Sequence, residues 1–241
     1  MSQMKFPEVK ALVFDVQGTV TDFRSTLAEE AARLSRGRAG DIDWGNFVDA
    51  WRGMYRPALD GVLAGTRPWT SVDLIYREAL DRLLEKKGLS FFAEAERVEL
   101  NFAWQKIRPW PDAVAGLERL KKRYKIATLS NADVSAVVNI AKHGGLPFDA
   151  IFAAEMAGTF KPDPRTYRMA VQYLGLQAHE VMMVACHKYD IVAAKALGLR
   201  TAFVARPLEF GPNGKVDVRF EDQFDVNARD FLHLAEQLDG T

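Results

Sequence analysis

Ala11-Leu12-Val13-Phe14-Asp15-Val16-Gln17-Gly18-Thr19-Val20 is the stretch on which the reading of this chain turns. Four apolar residues run straight into a carboxylate, with Gly18-Thr19 close behind. A short continuous apolar run closed by a turn signal reads as a strand buried on both faces. In an open parallel sheet such a strand leaves Asp15 at its carboxyl end, the edge on which ligands bind. The plain alternative is an aspartate that only caps the following turn.

From Pro111 onward strand and helix patterns alternate. Strands are expected at Lys125-Ile126-Ala127-Thr128-Leu129, at 150–153, at Val181-Met182-Met183-Val184-Ala185 and at Thr201-Ala202-Phe203-Val204. Between them, Val114, Leu117 and Leu120 recur at helical spacing, as do Val134, Val137, Val138 and Ala141, and then Tyr167, Ala170, Val171 and Leu174. Gly145 and Gly175 stop the second and third of these helices. Further helices are expected near 190–197 and 231–238. Repeated βα units imply an α/β fold with a parallel sheet covered on both faces.

Residues 22–110 differ in character. They hold all five tryptophans, Trp44, Trp51, Trp69, Trp104 and Trp110, and no strand-like run. Helices are expected over 43–59, from Phe47, Trp51 and Met54, and over 91–104. Between these, Thr70-Ser71-Val72-Asp73 resembles a capping box ahead of Val72, Ile75, Ala79 and Leu83. The domain expectation is therefore a core from 1–21 and 111–241, with 22–110 inserted as a helical cap. Most of the tryptophans are expected to build the core of that small helical unit.

Composition narrows the class. The chain has 241 residues, 48% of them hydrophobic and 27% charged, which suits a globular core with an insertion. Thirty-two basic residues balance thirty-two acidic ones, leaving no electrostatic footprint for nucleic acid or an anionic membrane. A single cysteine, Cys186, cannot form an internal disulfide. The start lacks the apolar run of a secretion signal, and no segment reaches the roughly 18 apolar residues of a membrane span. A cytoplasmic location is expected, and a homodimer is compatible with the sequence.

Four loops leave the carboxyl ends of the expected strands: 15–19, Ser130-Asn131, Lys161, and 186–190. A parallel sheet opens all four on one edge, bringing a carboxylate, a hydroxyl with an amide, an ammonium and a second carboxylate together. Each has an ordinary alternative as a cap or a solvated charge; their shared position makes all four alternatives together improbable.

Phe14-Asp15-x-x-Gly18-Thr19, Leu129-Ser130-Asn131, Lys161-Pro162-Asp163 and Asp190 resemble the four signature loops of the haloacid dehalogenase superfamily. The resemblance covers nearly the whole chain and implies a Rossmann-like core with a helical cap. Most members are phosphatases, but two positions depart from their pattern. Gln17 stands where phosphatases carry a second, acid-donating aspartate. Cys186 stands where they carry a magnesium carboxylate, and Lys188 adds positive charge nearby; Mg²⁺ needs hard oxygen ligands. The closer resemblance is to the metal-independent L-2-haloacid dehalogenases, with Trp51-Arg52 matching their tryptophan-arginine pair. Gln17 and the 186–189 loop depart from that group's pattern too.

The resemblance implies hydrolysis of short 2-haloalkanoic acids to 2-hydroxy acids, with water and a small haloacid as the only partners and no cofactor or metal. Asp15 would displace halide and carry the ester. Lys161 would keep it ionised, and Thr19 would fix its loop. Ser130 and the backbone after Asp15, at Val16 and Gln17, would hold the substrate carboxylate. Arg52, with Asn131 and Gln17, would take the halide. Asp190, with His187, would orient the hydrolytic water, and Tyr167 would position Lys161 or the substrate. His143, His179 and His233 lack metal-ligand spacing, and Arg24 is expected on a solvated face. Residues 206–210 offer no functional reading. Two alternatives stand beside this one: a magnesium-dependent phosphohydrolase or phosphonate hydrolase, and an inactive binding protein with the same fold.

Overall fold

The computed structural model describes residues 6–239; the first five, within the start read for a secretion signal, lie outside them. Strand β1 (Ala11–Phe14) is wholly buried. It is followed by β2 (Thr21–Asp22) and five helices: α1 (Phe23–Ser35), α2 (Trp44–Gly53), α3 (Tyr55–Leu63), α4 (Val72–Lys86) and α5 (Glu94–Phe102). Strand β3 (Arg108–Pro109) then pairs antiparallel with β2, so the helical insertion leaves and rejoins the chain through a two-stranded neck. After it come α6 (Ala113–Lys121), β4 (Lys125–Thr128), α7 (Val134–Gly144) and α8 (Pro164–Leu174). The chain closes with β5 (Val181–Ala185), α9 (Lys188–Ala196), β6 (Arg200–Val204), β7 (Val226–Ala228) and α10 (Phe231–Asp239).

The main sheet has five strands in the order β4-β1-β5-β6-β7, every neighbouring pair parallel. Strand side chains alternate between faces, and the two hydrophobic layers follow that period. Leu12, Phe14, Met182 and Val184 join one buried cluster, which continues through Phe47, Trp51 and Trp104 of the insertion. Ala11, Val13, Met183 and Ala185 join the other, with Tyr167, Ala170 and Ile191 of α8 and α9. A run apolar at every position is thus what a two-faced strand requires. The chain has the α/β fold expected of it.

Several local expectations are corrected. The single helix over 43–59 is two, broken at Met54. Pro57 explains the break: it has no N–H to give and its ring collides with the carbonyl four residues back. Helix α1 went unread, although Asp22 caps it by accepting from the Ser25 amide at 3.0 Å. Ser71, not Thr70, caps α4, and the helix expected over 91–104 ends in a 3₁₀ turn, Ala103–Gln105. The insertion also carries the short neck strands, too brief for any periodicity to register.

Residues 150–153 make only two isolated bridges, Ala127 with Ala150 and Ser130 with Ala153. The Thr128 hydroxyl takes the intervening place, bonding both the Phe152 amide and its carbonyl at 2.9 Å. Strand β7 went unread because three residues on a sheet edge carry too little pattern.

Candidate active site

The carboxyl ends of β1, β4 and β5 converge as a parallel sheet dictates. Asp15 follows β1 directly, and its chain turns at once: the Val16 carbonyl accepts from the amides of Val20 and Thr21 at 2.9 and 3.1 Å. Gly18 sits in that turn at φ +87°, and a Cβ there would run into the Glu209 carboxylate. Thr19 donates to Asp15 Oδ2 at 2.7 Å and accepts from the Cys186 amide at 3.0 Å. One threonine thereby pins the first loop to the fourth.

Lys161 is buried to 1% exposure, with Nζ 3.0 Å from Asp15 Oδ1 and its other contact on Asp190 Oδ2. A buried ammonium is tolerated only with such partners. Asn131 fixes its main chain, donating from Nδ2 to the Lys161 carbonyl at 3.1 Å and accepting from the Lys161 amide at 2.7 Å. Asp190 is held in turn by Tyr167, whose hydroxyl donates to Oδ1 at 2.6 Å. Both Asp190 oxygens are therefore engaged, which makes this residue an anchor for Lys161.

Burial alone would raise the Asp15 pKa, but Lys161, the His187 hydrogen bond and Thr19 outweigh it and hold the carboxyl well below its usual range. Burial, only partly offset by Lys161, pushes Asp190 up. Of the two carboxylates on one ammonium, Asp15 is the readily ionised one, and ionisation is what a nucleophile needs.

His187 lies between two carboxylates, Nδ1 3.0 Å from Asp15 Oδ2 and Nε2 2.9 Å from Glu209 Oε1. Glu209 belongs to the 206–210 stretch, which has no functional reading in the sequence. It is buried to 2% exposure in the loop that follows β6, so the rule that ligands gather at strand ends could have marked it. The same loop carries Arg206, which donates to the Thr19 carbonyl at 2.7 Å and pairs with both oxygens of Asp112 at 2.7 and 2.9 Å. The stretch without a reading is thus the fifth wall of the site. Lys188 does not lend the site charge: its Nζ faces Glu221 and Asp217 at 2.7 and 3.0 Å.

The insertion closes the site from above. Arg52, near the end of α2, donates to the Tyr76 hydroxyl at 2.9 Å, and Tyr76 donates to Gln17 Oε1 at 2.8 Å. The Arg52 guanidinium also lies 4.1 Å from the centre of the Tyr55 ring. Trp51 is buried and donates to the Tyr76 carbonyl at 2.8 Å, and Tyr76 stacks on Trp104 with ring centres 3.8 Å apart. The aromatic residues of the insertion thus fix where the arginine points. Arg24 is no part of this: it pairs with Asp49 at 3.0 Å.

A pocket of about 270 Å³ opens between the insertion and the loops after β5 and β6, lined by Arg52, Tyr55, Arg56, His187, Tyr189 and Glu209 among others. Just after β4, the strand next to β1 in the sheet, the Ser130 hydroxyl is buried with no hydrogen-bond partner. A buried polar group without a partner is costly, and a bound ligand would relieve that cost.

The buried carboxylate paired with lysine, threonine and histidine at a strand end fits what the signature loops imply, and the comparison with known proteins gives the family. Residues 9–198 match the haloacid dehalogenase-like hydrolase family. The chain belongs to it. Among members of the family, an (S)-2-haloacid dehalogenase of Xanthobacter autotrophicus is 32% identical over 209 residues, covering 82% of this chain and 76% of that protein. The crystal structure of an L-2-haloacid dehalogenase superposes with a TM-score of 0.90 at 41% identity, covering 95% of this chain and 99% of that one. A defluorinating L-2-haloacid dehalogenase gives 0.92 at 38% identity, covering 97% and 98%. Phosphatases also occur among the relatives, at 28% identity. Among the described residues no helix is long and apolar enough to cross a membrane.

Proposed function

We propose that this haloacid dehalogenase-like hydrolase removes halide from short 2-haloalkanoic acids and returns the 2-hydroxy acids. The observation that carries the reading is Asp15 itself, paired with the buried Lys161 ammonium, with Arg52 tied through Tyr76 to Gln17 of the same loop. The relatives named above as dehalogenases support the same substrate class.

In this reading Ser130 and the backbone at Val16 and Gln17 hold the substrate carboxylate. Asp15 attacks the carbon bearing the halogen and the carbon–halogen electron pair leaves with the halide, so an ester forms on Asp15. Arg52, oriented by Tyr76, receives that charge as it develops, with Gln17 and the second Nδ2 hydrogen of Asn131 beside it. Asp190 and Tyr167 act through Lys161. Once Asp15 is esterified it no longer holds a proton on His187 Nδ1. That nitrogen, with Nε2–H kept on Glu209, can then take the proton of the water that opens the ester. Hydrolysis frees the hydroxy acid, restores the Asp15 carboxylate and releases one net proton.

No metal enters this scheme. The residues present fit Mg²⁺ poorly: Asp15 already spends Oδ1 on Lys161 and Oδ2 on Thr19 and His187, and position 186 offers a soft thiol where hard oxygen is needed. Halide release from chloroacetate, fluoroacetate and 2-chloropropionate, with and without EDTA, tests the proposal. Turnover unaffected by EDTA is expected. Activity that EDTA abolishes and Mg²⁺ restores, or phosphate ester cleavage in place of halide release, would overturn it. Fluoroacetate is included because one neighbour is a defluorinating enzyme.

A further inference from the structure

Beside the nucleophile, on the face turned toward the Glu209 loop, lies a trio that the proposed reaction does not use as a unit. Cys186, His187 and Glu209 each offer one ligand atom, all within 4.8 Å of one another. Cys186 Sγ is 3.8 Å from Glu209 Oε2, and His187 Nε2 is 2.9 Å from Glu209 Oε1. Around tetrahedral Zn²⁺, with bonds of about 2.0–2.3 Å, such ligands stand roughly 3.2–3.7 Å apart. Small side-chain shifts reach that spacing.

A second observation points the same way. A metal-binding histidine almost always donates its other ring N–H to a carboxylate, a backbone carbonyl or water, which fixes the tautomer and directs the free lone pair at the ion. His187 Nδ1 has that partner already in Asp15 Oδ2 at 3.0 Å, leaving Nε2 for a metal. The ring is also on a route to solvent, since His187 and Glu209 both line the pocket below Arg52.

We propose that Cys186, His187 and Glu209 form a site for a borderline-soft divalent transition metal of the Zn²⁺ class, with the fourth position open to the pocket. One thiolate, one imidazole and one carboxylate select such ions over Mg²⁺ or Ca²⁺. Binding displaces the thiol proton of Cys186 and the Nε2 proton of His187, and no electron moves. Three protein ligands with an open position describe an exchangeable site, unlike a closed structural one. The site is inhibitory. With Nε2 on the metal, the neutral ring must carry its one proton on Nδ1, so even beside the esterified Asp15, His187 has no lone pair left for the hydrolytic water. Ester formation survives and ester hydrolysis stops. Metal binding stands on the geometry alone; this consequence rests on the dehalogenase reading.

The test starts from EDTA-treated protein titrated with Co²⁺ without substrate. Because Cys186 is the only cysteine of the chain, a thiolate-to-cobalt absorption band in the near ultraviolet can come from nowhere else. The expected result is a band saturating at one equivalent, displaced by Zn²⁺ and absent from C186A. A second arm adds Zn²⁺ during turnover of 2-chloropropionate. C186A should keep its turnover and need at least tenfold more Zn²⁺ for half-inhibition, and the inhibited wild type should carry the ester mass on Asp15. Absence of the band in wild type, or its persistence in C186A, overturns the site. Equal Zn²⁺ sensitivity of the two proteins overturns its inhibitory role. Should no haloacid be turned over, the dehalogenase reading fails while the cobalt spectrum still decides the metal site.

Discussion

The Tyr76 hydroxyl donates to Gln17 Oε1 at 2.8 Å, joining a helix of the insertion to the loop after β1, 59 positions away. Gln17 stands where an acid-donating aspartate is the phosphatase pattern, and this bond shows what the amide does instead. It terminates a chain that begins at Arg52. The position of the arginine is thereby set from the same loop that carries Asp15.

Tyr76→Phe should break that chain with little change of shape. Losing the hydroxyl leaves buried Gln17 unpaired, at a cost of about 1–3 kcal/mol in stability. A loosened Arg52 should lower kcat by roughly tenfold to a hundredfold. Urea unfolding and halide release measure the two effects; a variant with wild-type kcat would show that Tyr76 does not position the arginine.

Arg52→Ala should act mainly on the transition state, lowering kcat more than it raises KM. Loss of a donor at such a site costs on the order of 2.7–4 kcal/mol, or roughly a hundredfold to a thousandfold in rate. Arg52→Lys should recover only part, because an ammonium cannot match the planar guanidinium. Single-turnover ester formation, followed by mass spectrometry, reads the step directly. Wild-type alkylation in Arg52→Ala would move the halide to another residue, Arg56 being on the same pocket wall.

Asp15→Asn should abolish turnover in a protein that still folds, since the amide preserves shape but offers no anion. Circular dichroism and halide release together check it. Wild-type activity, once deamidation is excluded by mass, would remove Asp15 from its role.

Asp112 carries a prediction about acid stability. Burial would raise its pKa, but the hydrogen bond and charge of Arg206 and the Phe231 amide outweigh that and lower it. A carboxyl lowered on folding stabilises above its unfolded pKa of about 3.9, and that contribution fades as pH falls through the folded value. Asp112→Asn should therefore cost about 1.5–3 kcal/mol near neutrality, toward the lower end because the pair is partly solvated. The gap from wild type should narrow below about pH 4. Unfolding curves from pH 3 to 7 measure it, and a gap independent of pH would contradict the assignment. The variant should also slow turnover, because Arg206 would lose its hold on the Thr19 carbonyl.

The sequence by itself determined the central strands of the sheet and the edge on which its chemistry sits. The all-apolar run 11–14, ending in Asp15, can be satisfied only by burial on two faces, and parallel strands then bring Ser130, Asn131, Lys161 and Asp190 to the same edge as Asp15. These are local signals whose spatial meaning follows from one topological rule. The partners that set the properties of those groups were beyond its reach. That Asn131 clamps the Lys161 backbone, that Tyr167 acts on Asp190, and that Arg52 reaches Gln17 through Tyr76 are contacts between segments far apart in the chain. Glu209 is the clearest case. Nothing in the residues around it has a period or a motif, and it gains a role only because the β6 loop folds back against Gly18 and His187. A strand's burial is written in its neighbours along the chain; the charge state of a buried side chain depends on which distant groups the tertiary structure places against it.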